Sequence, residues 1–481
     1  MLRASLAKTP KGFCRRMTTA AAQKSIKKEG DISDAFTSLS GAKREPLPDR
    51  FRELKCDLVR GREKEIVASW GRLLRQLRKE NEIIAKKGPS VIPQVEFSDF
   101  EKDVDVLKEE IRKRGAVVIK EVTHDPQVYE LYWSAPQLKA RAHPNFLRVQ
   151  HHLMSFLWHS SSPDTPIFLD QPFSYADRLR VRQPGDASFA LGPHIDGGSV
   201  ERWEKEGYGR GGVYDRILEG KWEEYDPWDA SGRVEAVNNL YDGLGACSMF
   251  RMWQGWMSMS HTKPAEGTLL VNPLMKLSTA YVLLRPFFQN KRGRASSDYL
   301  DEENWEFMGV DGMTSELQGA TPGTGQECTD ELHPHLDLER TMVHVPEIRP
   351  GDFVGWHCDS KFTLPASSIT LTQSAIHSVD KVHAGKGDSS VLYIPVCPVT
   401  QQNAEYLVRQ REAFRRGTPG PDFPGGAGES GHVDRPTEEM LRGWADGVGR
   451  RAMGLERLVI DEGARPGARE AVEASNAALG F

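Results

Sequence analysis

Early in the chain, apolar residues recur at three- and four-residue intervals: Phe51, Leu54 and Leu58, then Ile66, Trp70, Leu73 and Leu77. That spacing lines one face of a helix and predicts one or two long amphipathic helices. Val104, Leu107 and Ile111 continue the stripe as far as Gly115, where Ala116-Val117-Val118-Ile119 takes over as a short β-branched run. The chain is therefore expected to pass from helix to buried strand at that glycine.

Beyond Gly115 the pattern changes. Arg178–Arg182, Thr268–Val271, Ala280–Leu284 and Ser390–Ile394 read as strands separated by loops bearing Gly and Pro. Their irregular spacing fits a β-sandwich or barrel better than a βαβ array. The polar stretches 201–245 and 289–327 are too long for ordinary connections and read as insertions. Residues 416–481, with Glu438, Met440, Leu441 and Trp444 and then Met453–Val459, read as a loop and a small helical tail. The expected organisation is a basic N-terminus over 1–35, a helical region over 36–115, a mainly β domain over 116–415 and the tail.

Composition narrows the function classes. The chain has 481 residues, 63 Lys+Arg against 68 Asp+Glu and a net charge of −5, so it carries no global basic field for nucleic acid. The most apolar stretch, 267–288, is interrupted by Asn272, Lys276 and Arg285, which argues against a membrane span. Six cysteines lie far apart with no CxxC pair, against both a zinc cage and a disulfide framework. Residues 1–28 contain Lys and Arg but no Asp or Glu, and read either as a mitochondrial transit peptide or as a disordered basic tail. The expected location is the cytoplasm, or the mitochondrial matrix if that leader is functional.

The most informative short segment is Gly192-Pro193-His194-Ile195-Asp196-Gly197-Gly198. Residues two apart on a strand project to one face, so His194 and Asp196 can reach one ion together. Imidazole, carboxylate and a second histidine from elsewhere make the facial triad that holds non-haem Fe(II). An HxD alone is as well explained by a surface histidine beside a turn aspartate. A second segment adds weight: Pro350-Gly351-Asp352-Phe353-Val354-Gly355-Trp356-His357-Cys358-Asp359, followed by Ile376-His377-Ser378.

A Pro-Gly-Asp turn feeding an apolar strand that ends in His resembles the delivery of the last metal ligand in double-stranded β-helix dioxygenases. The runs LGPHIDGGSVERW, EGTLLVNPLMKLSTAYVLLRPFF, HPHLDLERTMVHVPEIRPGDFVGWHCD and HAGKGDSSVLYIPVCP resemble the family known as domain of unknown function 1479 (DUF1479), from about Phe36 to the C-terminus. Its members are similar to Fe(II)/2-oxoglutarate dioxygenases of the clavaminate synthase-like kind. The resemblance implies an α+β, mainly β fold: a double-stranded β-helix (jelly roll) core with N-terminal helices and a small helical C-terminal tail. It implies Fe(II) as cofactor, 2-oxoglutarate as cosubstrate and a small-molecule substrate, while the charge balance and the interrupted apolar stretch are what lead to the expectation of no nucleic-acid or membrane partner.

This chain departs from that family in two places. Members carry the second His almost directly after Trp-His-Cys-Asp, whereas here Ser360–Ala375 intervenes. Read back into codons, Ser360-Lys361-Phe362 accommodates a GTAAGT donor, Leu371-Thr372 a CTGAC branch point and Ser374-Ala375 a CAG acceptor, so the segment reads as a retained intron, with a true loop insertion as the alternative. Without it, His377 suits the far end of the strand and is the expected third ligand, with His357 as runner-up; His383 reads as an ordinary histidine. The second departure is the Arg that relatives use for the distal carboxylate of 2-oxoglutarate, since Asp388 stands at its position. Arg180, Arg182, Lys386 and Ser389 are the replacements the sequence offers, Arg178, Arg180 and Arg182 sharing one strand face that is equally well read as a solvated basic face.

Other matches carry less. His335-Leu336-Asp337 lies too close to the Pro-Gly-Asp turn and reads as structural. Gly207–Gly212 matches GxGxxG but follows charged residues instead of an apolar strand, and reads as a loop. Trp253, Trp256, Tyr281 and Phe287 read as core before pocket. The expected protein is thus an Fe(II)-dependent oxygenase whose His194, Asp196 and His377 are both metal-binding and catalytic. Its rivals are a catalytically silent β-helix binding protein and a non-oxidative metal enzyme of the same fold.

Overall fold

The computed structural model describes residues 45–120, 132–187, 192–195, 198–241, 249–357, 376–423 and 427–481. The basic leader, Asp196 and the segment Ser360–Ala375 lie outside them.

The helical periodicities near the start form the expected elements: α1 (Arg50–Val59), α2 (Glu63–Lys87) and α3 (Phe100–Arg114). Helix α2 buries Ile66, Trp70, Leu73 and Leu77, and Trp70 stacks on Phe288 with ring centroids 4.4 Å apart. Helix α3 stops at Gly115, whose N–H closes on the carbonyl of Ile111 in the left-handed conformation (φ 68°) that glycine adopts at least cost. A strand, Ala116–Lys120, begins at the next residue.

Ala280–Leu284 is not a strand. It belongs to helix α5 (Met275–Leu284), which lies against α2 and α3. The sequence misleads here because Ala280 to Leu284 are all buried, so no polar face reveals the helical period, and a short apolar run reads equally well as a buried strand. Met453–Val459 also departs from expectation. A short helix, Gly447–Ala452, ends just before it, and Gly454 follows at φ 67° packed against Leu407 and Leu479. The C-terminal helices are α6 (Gln401–Arg416) and α7 (Pro466–Leu479), packed on each other and on the strand Phe168–Phe173, which pairs with Cys397–Val399; Glu438–Trp444 is a further short helix, and α4 (Pro144–Ser155) also packs on Phe168–Phe173.

Eleven strands make two main sheets. In chain order they are β1 (Gln94–Glu96), β2 (Ala116–Lys120), β3 (Leu179–Arg182), β4 (His194–Ile195), β5 (Trp253–Ser258), β6 (Leu269–Val271), β7 (Gln326–Glu327), β8 (Val343–His344), β9 (Phe353–His357), β10 (His377–Val379) and β11 (Ser389–Tyr393). The six-stranded sheet runs β1-β2-β9-β5-β11-β3 and the five-stranded sheet β7-β4-β10-β6-β8. Successive strands β3 to β6 alternate between the sheets, and so do β8 to β11.

Side chains alternate just as regularly. From the six-stranded sheet, Val118, Trp256, Val354, Trp356, Val391 and Tyr393 join Leu269, Val271, Val343 and Val379 of the five-stranded sheet in one apolar cluster, so these are the inner faces. Val117, Ile119, Trp253, Met257, Phe353 and Leu392 point outward to a second cluster with Val104 and Ile111 of α3 and Phe146, Val149 and Leu153 of α4.

Candidate functional site

Strand β4 is two residues long, yet it is held on both sides. His194 is the register partner of His377 on β10 and of Glu327 on β7, and the Pro193 carbonyl accepts from the Cys328 N–H at 2.8 Å. Directly opposed residues share a face. The imidazoles of His194 and His377 accordingly meet, with ring centroids 4.2 Å apart and planes at 61°. Trp356 approaches His377 at 6.4 Å, which fixes the pair on the inner face.

Both imidazoles are buried. The Nδ1–H of His194 donates to the Gly192 carbonyl at 2.6 Å. That bond keeps the proton on Nδ1 and leaves the lone pair on Nε2, the arrangement a metal ligand requires. Burial pushes the His194 pKa down to about 4, against the opposing pull of the Gly192 carbonyl and the Glu327 carboxylate, so the ring is neutral at physiological pH. Glu327, a buried carboxylate brought beside His194 by β7, escaped the sequence reading because its pairing is non-local.

The structure thus brings together two of the three expected ligands. Asp196 lies outside the described residues, and among those described no three His, Cys, Asp or Glu side chains gather as a metal-holding group. His357 goes elsewhere. It alternates to the outer face, where it stacks flat on Trp158 at 4.6 Å and its Nε2–H donates to the Pro227 carbonyl at 2.8 Å. His383 accepts from the Gly385 N–H at 3.0 Å in the turn before β11, and His335 sits in an aromatic box with Trp305 at 4.8 Å. Gly207–Gly212 is a loop with one turn of 3-10 helix, and Trp253, Trp256, Tyr281 and Phe287 are buried core.

The four residues named for the cosubstrate separate. Arg180 and Arg182 are both buried on the inner face of β3, opposite Val391 and Ser389 of β11. Arg182 is committed to its surroundings: its Nε donates to the Asp186 carboxylate at 3.2 Å, and its terminal nitrogens reach the carbonyls of Asp186 at 2.8 Å and Asp380 at 3.0 Å. Ser389 shares that end of the sheet with it. Lys386 is exposed in the turn between β10 and β11. The sequence reading passed over Tyr393 and Gln254, which share the inner face. Period-two alternation would have signalled both, Tyr393 from Ser389 and Gln254 from Trp256.

Two facing sheets, antiparallel except where β1 runs parallel to β2, thus bring two buried histidines together on their inner faces. The family model described as Gig2-like matches residues 45–125 and 120–455, and the chain belongs to that family. It is 32% identical over 332 residues to the uncharacterized protein YbiU of Escherichia coli K12, covering 69% of this chain and 68% of the relative. Among solved structures it is similar to GlcNAc Inducible Gene 2 (GIG2, DUF1479) of Candida albicans, with a TM-score of 0.77 and 32% identity over 91% of this chain and 97% of that one. A Salmonella typhimurium LT2 protein whose crystal structure bears the name "Putative Oxidoreductase" matches with a TM-score of 0.67 and 26% identity over 85% of this chain and 99% of its own. No helix among the described residues is long and apolar enough to cross a membrane.

Proposed function

We propose that this chain is a non-haem Fe(II)- and 2-oxoglutarate-dependent oxygenase acting on a small molecule, with His194, Asp196 and His377 as metal ligands. The observation that carries the reading is the cross-strand pair of buried imidazoles, one of them locked as the Nδ1–H tautomer. Neutral imidazole is what a divalent transition metal takes, and two such donors fit two corners of a facial triad. The alternation of β3–β6 and β8–β11 between two sheets supports a double-stranded β-helix core, and the name borne by the Salmonella relative supports an oxidoreductase.

Bound at this pair, Fe(II) would supply the redox chemistry that couples O2 to a 2-oxo acid. The protein's own part is positional. The Gly192 carbonyl aims His194, the ladder between β4 and β10 fixes His377 against it, and Trp356 with Val271 keeps bulk water from the pair. A cleft of about 700 Å³ lined by Arg210, Glu235, Asn238, Asn239 and Gln402 opens beside the segment after β4 and suits a polar small molecule.

Anaerobic titration with Fe(II) and 2-oxoglutarate tests the reading. The expected result is the weak visible charge-transfer band of the chelate and slow succinate release in air, both lost in Asp196→Ala. Equal succinate release from wild type and Asp196→Ala would refute it.

A further inference from the structure

We propose that Ser297, on the loop between the paired segments Phe288–Asn290 and Trp305–Phe307, is a phosphorylation site for a serine/threonine kinase that reads arginines upstream of its acceptor. The proposal is independent of the metal reading above.

In Lys291-Arg292-Gly293-Arg294-Ala295-Ser296-Ser297, arginines stand three and five residues before the second serine. Drawn out at about 3.3 Å per residue, such a chain holds them ~10 and ~17 Å from the acceptor, where the carboxylates of a kinase groove can take guanidinium groups bidentately. The loop offers this stretch outward. Lys291 to Ala295 and Ser297 are exposed, and the space beside Gly293 is open within 4 Å. Its base is held: the Lys291 N–H donates to the Asn304 carbonyl at 2.8 Å, and on α2 Arg75 pairs with Glu302 at 2.6 Å and Arg78 with Asp301 at 2.8 Å. Between these anchors the Ser296 N–H donates to the Gly293 carbonyl at 3.3 Å, a long bond that extension of the chain breaks at little cost. The Ser296 hydroxyl is tied to Asp298, whereas the Ser297 hydroxyl has no protein partner among the described residues. Asp298 works against transfer by its charge and by holding Arg292, but such a surface pair is weak. Arg294 makes no ion pair among the described residues and is the main determinant.

Structure, and not the motif alone, selects Ser297. Arg415-Arg416-Gly417-Thr418 repeats the spacing of arginine and hydroxyl. There, however, Arg415 is paired with Glu412 at 2.6 Å and with Glu438 at 2.9 Å. Thr418 is half-buried two residues past the end of α6, its N–H bonded to the Ala413 carbonyl at 3.0 Å, and a phosphate would meet the negative end of that helix. Ser160 and Ser161 share the Ser231 hydroxyl, at 3.0 and 3.2 Å, and no arginine lies within five residues before them. In the transfer, the Ser297 oxygen bonds to the γ-phosphorus of Mg-ATP as the bridging bond to ADP breaks, and the hydroxyl proton leaves through the catalytic aspartate of the kinase. The product places a charge of about −2 beside Arg294, which becomes its counter-ion.

The test incubates the full-length protein with Mg-ATP and the catalytic domain of protein kinase B, and follows its mass intact and after fragmentation. A gain of about 80 Da should appear on Ser297 in native buffer. Ser297→Ala should lose it, while Ser296→Ala and Thr418→Val should keep the rate within about twofold of wild type. Arg294→Gln should slow labelling at least about tenfold and Arg292→Gln about threefold, and Asp298→Asn should speed it about threefold. Circular dichroism melts establish that each variant is folded. Absence of phosphate from residues 291–304 of the native chain, transfer to Ser296 in place of Ser297, labelling that requires urea, or a rate indifferent to Arg294→Gln in a folded protein would overturn the proposal. Should a variant fail to fold, fragmentation of the wild-type product decides: phosphate on Ser297 supports the site, and phosphate elsewhere alone overturns it. Labelling of Ser297 in a protein that takes up no Fe(II) would support the site and leave only the metal reading defeated.

Discussion

Each face of the six-stranded sheet meets a buried histidine beside tryptophan, its own His357 on the outer side and His377 of the facing sheet on the inner side, and the two surroundings differ. On the outer face His357 lies flat on Trp158 and edge-on to Trp228, at 4.6 and 4.4 Å, with Nε2–H bonded to the Pro227 carbonyl. On the inner face Trp356 looks across at His377, which abuts a second imidazole. Burial and aromatic company are common to both. The difference is the partner: His357 is bonded to a carbonyl acceptor within the packing, whereas His377 lies in register with another imidazole, the pair that the proposed function takes as a donor set.

Substitution should split the two faces most widely. His194→Ala and His377→Ala are expected to lower Co(II) or Fe(II) affinity by more than about 100-fold, because each removes a ligand and even outer partners of ligands are worth 10–100-fold. His357→Phe keeps the ring and strands the Pro227 carbonyl, so it should cost about 1–3 kcal/mol of stability and leave affinity per folded molecule intact. Metal titration alongside urea denaturation reads both. A folded His357→Phe that loses the metal would reverse the assignment.

A second contrast is between His194 and His335, both pushed down by burial, to about 4 and about 3. His335 sits in a box of Trp70 and Trp305, its Nδ1 hydrogen-bonded with the Tyr281 hydroxyl at 3.1 Å. Its folded pKa lies below the unfolded value of 6.5, so the unfolded chain binds the extra proton first. Stability from this group is full above pH 6.5 and is lost as pH falls toward 3, by on the order of 3 kcal/mol at pH 4.5. His335→Gln should flatten that limb relative to wild type in urea melts at pH 7 and 4.5. An unchanged slope would show that the box admits water or charge.

What the sequence disclosed follows the range of the interactions. His194 and His377 were legible because HxD on a strand and a Pro-Gly-Asp turn are local signals, and α1 to α3 were legible because each has a polar face. Ala280–Leu284 was not, since a helix buried all round shows no period. Choosing between Arg180 and Arg182 was beyond reach as well: alternation puts them on one face, but the Asp380 carbonyl that engages Arg182 lies 198 residues away. Glu327 comes beside His194 through a pairing that no local window contains, whereas alternation along β11 is enough to place Tyr393.

The smallest expected effect falls where the two faces share a support. Gly115 joins α3 to β2, its carbonyl accepts the His357 N–H at 2.8 Å, and a Cβ there would stand 2.9 Å from the Met275 Cβ at the start of α5. Gly115→Ala would therefore place an L-residue at φ 68° and press it on a packed helix. Left-handed backbone costs an alanine roughly 1–2 kcal/mol, and overpacking adds a comparable amount unless Met275 shifts. Since the nearest atom is the Met275 Cβ, which moves only with the backbone of α5, a total of at least about 2 kcal/mol is expected by chemical denaturation. The strain enters through backbone on the outer side of β9, and β10 is tied to β4 and β6 in the other sheet, so metal affinity per folded molecule should stay within about twofold. A Gly115→Ala protein with native stability but weakened metal binding would mean that the two sheets move together, and that the separation of faces drawn from His357 and His377 does not extend to their mechanics.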